Sequence, residues 1–409
     1  MDLQIRGIDN KLIDREITIS GSKSESNRLL ILQKLFSNID IENLSDSDDT
    51  NHLIAALTSE NEEINIGHAG TAMRFLTAFF AAQKGRKVVL SGSDRMHNRP
   101  IEILVNALRD LGAEISYLQK KGYPPLQITG KELTQDFVKI NGNISSQYIS
   151  ALLLIAPSLQ KGLTIELSGE ITSIPYIKMT LQLLNQIGVV TYFTGNKIQI
   201  EPIKQVSTKK VVVESDWSSA SYYYSMIALS EFGSKVKLSS YKKKSLQGDS
   251  VLSEIYKSLG VETEFLENSI VLKKTSSPIQ NHIELDLNKA PDIAQTIAVT
   301  CFGLGVSCDL QGLHTLKIKE TDRLAALQLE LTKLGAEISI TQNSLHLKSS
   351  SKINSNISIE TYNDHRMAMS FAPIAMLVPI KVLEANVVTK SYHNFWKDLE
   401  KVGFQLHQK

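Results

Sequence analysis

Neither sign of charge is in excess in this chain of 409 residues: 44 lysines and arginines meet 43 aspartates and glutamates, leaving a formal net charge of +1. Binding nucleic acid or an anionic membrane over a broad surface takes basic residues in excess, so neither fits this balance. Cysteine is almost absent as well. Cys301 and Cys308 supply neither a disulfide framework nor a metal-ligand spacing, and they read as small buried apolar residues. The nine histidines are scattered, without a His-Glu-x-x-His run or a Cys/His knuckle, which argues against a transition metal held by the protein. The Gly-x-x-x-x-Gly-Lys-Ser/Thr signature is missing too, so any phosphate must be held by another device. The longest apolar runs, near residues 149–159 and 367–380, are too short or too interrupted by proline to span a bilayer. Met1–Arg6 carries charge at once and leads into no apolar stretch, so a soluble cytoplasmic protein without a secretory leader is expected.

What is present is a repeat. An amphipathic run closing on an apolar residue and glycine, then alternating strand-like residues, recurs at Gly112, Gly188, Gly260 and Gly335, with a degenerate copy at Gly403; the spacings are 76, 72, 75 and 68 residues. Apolar positions such as Leu104, Val105, Leu108 and Leu111, or Leu324, Leu327, Leu331 and Leu334, fall on one helical face. Glycine at the end permits a left-handed cap. Segments such as Ile338–Ile340 and Ser344–Leu347 alternate as half-buried strands do. The chain is also longer than one core usually supports. An α/β fold of two pseudo-symmetric domains follows, with boundaries near Ser20 and Val213–Glu214: residues 1–20 and 214–409 form a discontinuous domain, residues 21–213 an inserted one, joined by two crossing strands.

Cations recur in short motifs of small and polar residues, which suits a compact polyanion. In Gly21-Ser22-Lys23-Ser24-Glu25-Ser26-Asn27-Arg28, Ser22 and Glu25 have capping-box spacing, and free amides, hydroxyls, Lys23 and Arg28 could converge on one anion; the plainer alternative is a solvated helix start. Gly70-Thr71-Ala72-Met73-Arg74 also enters a helix, where glycine lets a ligand approach the main chain or simply lets helices pack. Ser145-Ser146-Gln147 puts more hydrogen-bonding groups at a helix start than capping needs. Arg95 lies in Ser93-Asp94-Arg95-Met96. In Lys319-Glu320-Thr321-Asp322-Arg323 either the charges are a solvated entrance, or Lys319 and Arg323 clamp anionic oxygens while Glu320 transfers a proton. Asp292, a cap or a second acid, precedes an apolar helix. His365 in Asn363-Asp364-His365-Arg366 reads as structural.

Taken in order from about Ser20 to Lys390, these motifs resemble those of the 5-enolpyruvylshikimate-3-phosphate synthases of the shikimate pathway. The resemblance implies the enolpyruvyl transferase fold, two domains each of three repeated βαβαββ units, with the active site in the cleft between them. It implies transfer of the enolpyruvyl group of phosphoenolpyruvate to the 5-hydroxyl of shikimate 3-phosphate, with phosphate released through a tetrahedral intermediate. Neither metal nor organic cofactor is implied, and the partners are those two small molecules, met by a monomer. Residue by residue, Lys23, Ser24, Arg28, Ser145, Ser146, Gln147, Ser173, Tyr176, Asp292 and Lys319 match shikimate 3-phosphate contacts. Lys23, Gly70, Arg95, Gln147, Arg323, Arg366 and Lys390 match the phosphoenolpyruvate side. Asp292 corresponds to the acceptor of the hydroxyl proton and Glu320 to the donor to the methylene carbon, with Lys23 among the catalytic set. His68, Phe75 and Thr315 depart from the asparagine, proline and asparagine common in the family. Gly70 keeps the small residue of the glyphosate-sensitive type.

Two other readings are weaker. The enolpyruvyl transferase acting on UDP-N-acetylglucosamine carries a loop cysteine and a Lys-Asn pair, whereas here Ser24 follows Lys23 and both cysteines lie beyond Asp292. A non-catalytic anion-binding module would need the cations but neither Asp292 nor Glu320.

Overall fold

The five repeat glycines end five helical segments in the same way. In the computed structural model, which describes residues 1–8, 12–143, 145–171, 174–207 and 209–408, Gly112, Gly188, Gly260, Gly335 and Gly403 have φ of 104°, 96°, 83°, 102° and 120°. Each time the next residue donates its N–H to the carbonyl five positions before it: Ala113 to Leu108, Val189 to Leu184, Val261 to Tyr256, Ala336 to Leu331 and Phe404 to Leu399. That bond satisfies a carbonyl the helix would leave bare and turns the chain into its next strand. The third copy differs from expectation. Its α-helix is only Leu252–Ile255, preceded by a 3₁₀ turn Gly248–Val251. Ser253 and Ser258 hydroxyls bond the carbonyls three residues back, and the amides of Ser258, Leu259 and Gly260 do likewise, which tightens the segment away from α geometry.

Packing divides the chain into two units, Met1–Ser20 with Glu214–Lys409, and Gly21–Val213. Among the described residues there are five four-stranded sheets and one two-stranded sheet, three sheets to a unit. The four-stranded sheets share one plan, a parallel pair extended by two antiparallel strands. Glu63–Asn65 runs parallel to Lys87–Ser91, which pairs antiparallel with Leu126–Thr129 and through it with Glu114–Tyr117. The same plan joins His282–Asp286, Ser307–Gln311, Leu345–Leu347 and Ile338–Ile340. The N-terminal strand Leu3–Arg6 completes the sheet of Ile357–Ile359, Ile380–Val382 and Gln405–Gln408, so the first residues close the last repeat.

Each parallel pair needs a crossover, and the crossover helices are buried almost all round. Every residue of Gly70–Ala81 is buried, as are all but Gln147 in Ser146–Ile155 and all but Ser218 in Trp217–Leu229. Apart from buried hydroxyls such as Thr77, Ser150 and Ser225, such helices carry their polar groups near where the chain enters them. This is where the motifs lie: Gly70, Ser145, Asp292 and Asp364 all stand at or just before a crossover helix. Ligands of parallel α/β sheets gather at these carboxyl ends of strands. Cys301 and Cys308 are fully buried. No described helix is long and apolar enough to cross a membrane.

Alanine at Gly188 and at Gly260 separates the two demands on a repeat glycine. At Gly188 a Cβ would meet nothing within 4 Å, so only the left-handed φ opposes it, at about 1–2 kcal/mol. At Gly260 it would also sit 2.8 Å from the Ser276 carbonyl carbon, and a loss of about 3 kcal/mol or more is expected. Thermal melting checks this; equal midpoints would deny the steric contribution.

Candidate active site

In the unit Met1–Ser20 with Glu214–Lys409, the site is built around Arg323, the first residue of helix Arg323–Lys333, whose N-cap Asp322 accepts from the Ala325 amide. The Arg323 side chain is 2% exposed and meets three carboxylates. Nε donates to Asp364 Oδ2 at 2.6 Å, Nη1 to Asp292 Oδ1 at 2.8 Å and Nη2 to Glu320 Oε2 at 2.8 Å. Burial alone would lower the guanidinium's pKa, but Asp364, Glu320 and Asp292 outweigh it and raise the value above the ordinary one. Asp364 does two tasks, since its Oδ1 also accepts from the Arg366 amide as N-cap of helix His365–Phe371.

Asp292 collects cations. Besides Arg323, Lys319 Nζ lies 3.4 Å from Oδ1 and Arg366 Nη2 lies 3.5 Å from Oδ2. Arg366 also donates to the Asp292 carbonyl at 3.2 Å and to Ser218 Oγ at 3.2 Å. Arg366 too is raised well above its ordinary pKa: burial works against the charge, and Asp292, then Tyr222 and Asp249, restore it. Just upstream, Tyr362 and Asn363 have φ of 53° and 55°, a conformation that costs a residue with a side chain about 1–2 kcal/mol. The strained turn is fastened at both ends. Tyr362 donates to Glu330 Oε1 at 2.6 Å, and Lys390 Nζ to the Asn363 carbonyl at 2.6 Å.

The unit Gly21–Val213 carries a different set. Arg28 is buried among hydroxyls, with Nε donating to Thr180 Oγ1 at 2.8 Å, Nη2 to Ser150 Oγ at 3.0 Å and Nη1 to the Ser24 carbonyl at 2.7 Å. Burial pushes its pKa down to about 10, so it remains charged at neutrality. Phe75 has a reason to depart from proline, because its ring lies 5.4 Å from the Arg28 guanidinium carbon. Arg74 is likewise buried and held near 10, first by burial and then by Arg99; it donates to the carbonyls of Gly70 and Pro100, tying the turn after Arg95 to the helix start. A Cβ on Gly70 would lie 2.8 Å from Arg99 Cζ, so the missing side chain leaves room for that guanidinium. Gln147 Nε2 donates to Thr71 Oγ1 at 3.3 Å. Among the described residues, Lys23, Arg28, Arg74, Arg95 and Arg99 make no ion pair with a carboxylate.

Asp292, Glu320, Lys319, Arg323 and Arg366 thus come together in one unit, with Lys390 joined through Asn363. Lys23, Ser24, Arg28, Gly70, Arg95, Ser145, Ser146, Gln147 and Tyr176 belong to the other. Ser173 lies outside the described residues. Two local expectations are corrected. Ser22 makes no side-chain cap; its carbonyl accepts from the Ser26 amide, and the capping box is not formed. Asp292 does not cap its helix either, because Arg323 and Lys319 take its carboxylate. Sequence reading passed over Asp364 and Arg74, both in motifs already picked out, and Asp249, whose surroundings carry no signal.

The chain matches the family described as EPSP synthase (3-phosphoshikimate 1-carboxyvinyltransferase) over residues 55–399. A 3-phosphoshikimate 1-carboxyvinyltransferase of Bacteroides fragilis is 46% identical over 399 residues, 96% of each chain. One from Haemophilus influenzae is 36% identical over 425 residues, covering 95% of this chain and 96% of that protein. EPSP synthase of Acinetobacter baumannii superposes over the whole of both chains with a TM-score of 0.81 at 21% identity. The enolpyruvyl transferase NikO of Streptomyces tendae gives 0.74 at 14%, over 100% of this chain and 98% of its own. The two solved structures establish the enolpyruvyl transferase fold.

Removing one charge from the Arg323 cluster tests what burial contributes. Asp364→Asn keeps the cap acceptor but leaves a buried guanidinium short of charge, and is expected to cost about 3 kcal/mol. Glu320→Gln, at a side chain 30% exposed, is expected to cost less than about 1 kcal/mol. Denaturant unfolding of both variants checks the order.

Proposed function

The chain belongs to the EPSP synthase family, and we propose that it transfers the enolpyruvyl group of phosphoenolpyruvate to the 5-hydroxyl of shikimate 3-phosphate, releasing inorganic phosphate on the route to aromatic amino acids. Each substrate carries a carboxylate and a phosphate, together about six negative charges. Lys23, Arg28, Arg74, Arg95 and Arg99, which make no ion pair among the described residues of the unit Gly21–Val213, suit that load. The observation that carries the reading is the sharing of Arg323 by Asp292 and Glu320, each at 2.8 Å. One guanidinium holds two carboxylates, with side chains 11% and 30% exposed, as an acid and base pair.

In this reading Lys23, Ser24, Arg28, Ser145, Ser146, Gln147, Ser173, Tyr176 and Lys319 bind shikimate 3-phosphate. Lys23, Gly70, Arg95, Gln147, Arg323, Arg366 and Lys390 bind phosphoenolpyruvate. Asp292 takes the 5-hydroxyl proton as the oxygen attacks C2 of phosphoenolpyruvate, and Glu320 delivers a proton to C3. The tetrahedral adduct then loses a C3 proton and expels phosphate as the C2–O bond to it breaks, restoring the double bond. Every Arg323 nitrogen donates to a carboxylate, but Nη1 donates to Asp292 alone and keeps a second N–H for the substrate's carboxylate. The protein acts as a cytoplasmic monomer on these small anions.

Phosphate release from phosphoenolpyruvate is expected with shikimate 3-phosphate and not with UDP-N-acetylglucosamine; the reverse preference would sink the assignment. Glu320→Gln and Asp292→Asn are expected to cut kcat by about 10²–10⁴ with substrate affinity little changed. Glyphosate at millimolar concentration is expected to inhibit. Gly70→Ala, by pushing Arg99 aside, should raise the KM for phosphoenolpyruvate about tenfold, which is about 1.4 kcal/mol; an unchanged KM would remove Arg99 from that explanation.

A further inference from the structure

Behind Asp292 and Arg366 stands a carboxylate to which the reaction above gives no task. Asp249 is 8% exposed, in the 3₁₀ turn Gly248–Val251. It accepts a short hydrogen bond from Ser218 Oγ. Ser218 Oγ in turn accepts from Arg366 Nη2, and that same nitrogen lies 3.5 Å from Asp292 Oδ2. The chain Asp249, Ser218, Arg366, Asp292 is therefore continuous.

We propose that Asp249 is a positioning residue for the transfer: through Ser218 it fixes the Arg366 guanidinium, and by its charge it keeps Asp292 basic. Asp292 has three cations about it, Arg323, Lys319 and Arg366, and each weakens it as a base. A negative neighbour works the other way. The charged groups facing Asp249 are Asp292 from the turn Pro291–Ile293, Arg366 from the helix His365–Phe371, and Asp216 at the start of the helix Trp217–Leu229. Two of these three are acids, and burial adds to their effect. The Asp249 carboxyl is pushed up to about 6, chiefly by burial and next by Asp292, while Arg366 and the Ser218 bond pull it down. Asp249 and Asp292 then share their titration, so the acid side of the rate profile belongs to the pair.

Such a group works against the fold. Because the folded protein holds this proton more tightly than the unfolded chain, stability falls as pH rises from about 4 through 6 and the cost persists above. A side chain kept only for structure would stabilise the protein; one kept for the reaction can cost stability.

The test uses full-length wild type, Asp249→Asn and Ser218→Ala. Without substrate, Asp249→Asn is expected to melt higher than wild type at pH 8, with the gap closing toward pH 4. With substrates, its acid limb of kcat is expected to move to lower pH and its plateau to fall about tenfold. Ser218→Ala keeps the charge and removes a bond that lowers the Asp249 pKa, so its acid limb should stay or move to higher pH, the opposite of Asp249→Asn, while the KM for phosphoenolpyruvate rises severalfold. An Asp249→Asn profile superimposable on wild type, or a lower melting point at pH 8, would overturn the proposal. This inference rests on the reaction proposed above. Wild-type protein that releases no phosphate would overturn that reaction and this role with it, whereas an active wild type with an unmoved variant would overturn this role alone.

Discussion

A guanidinium taken out of water loses several kcal/mol of hydration unless its N–H groups and its charge are both answered. Arg323 is answered by carboxylates from three separate places in the chain, residues 292, 320 and 364. Each of these belongs to a segment that would otherwise have its own freedom: the turn before a crossover helix, the loop before Arg323, and the start of the helix His365–Phe371. The cluster therefore fixes three backbone segments at once. Its members can move only by leaving a buried charge partly unpaired, and this gives the pair Asp292 and Glu320 a defined separation without a metal-like tether.

The two units answer charge in opposite ways. In one, four carboxylates, Asp292, Glu320, Asp364 and Asp249, stand with Arg323, Arg366 and Lys319, so the group has acid to spare. In the other, Arg28 and Arg74 are met by hydroxyls, carbonyls and aromatic rings rather than by acids. Hydroxyl and carbonyl dipoles can hold an arginine in position without cancelling its field. In the proposed reaction such a set suits phosphate and carboxylate, while the acids of the other unit supply the proton transfers beside their own cations. The repeat makes this division possible: the same crossover geometry presents a helix start in every sheet, and only the residues mounted there differ.

The repeat was legible because its signal is a backbone requirement. Glycine at φ near 100° after an amphipathic run leaves a mark at one position, and the five positions keep their spacing whatever the strands between them do. The motif residues were legible because small and charged residues interrupt runs that are otherwise apolar, as at Gly70 and Arg366. What stayed hidden depends on partners far away in sequence. Asp364 caps a helix, but nothing local says that its second oxygen will meet Arg323, 41 residues earlier. Ser22 has capping-box spacing and does not cap, because spacing fixes which atoms could meet and not which will. Asp249 is one acid in a polar loop until Ser218 and Arg366 are seen beside it. The third repeat misled for a related reason: its apolar periodicity is helical, and serine hydroxyls in competition with the backbone shorten the helix.

The cations around Asp292 also bear on when it can act. A carboxylate in contact with Arg323, Lys319 and Arg366 holds its charge firmly and has little tendency to accept a proton. In the proposed reaction Lys319 is assigned to a substrate anion, and an anion that draws it off removes part of what had quenched the base, while Arg366 stays fixed on Ser218. Proton affinity then rises only once the substrates are bound, when the hydroxyl to be deprotonated is at hand. Arg323 cannot be drawn off in the same way, since Asp364 holds it from the buried side, and it keeps Asp292 oriented throughout. Binding energy is thereby converted into base strength at the atom that needs it, which is a differential effect between bound and free enzyme and so one that can lower the barrier.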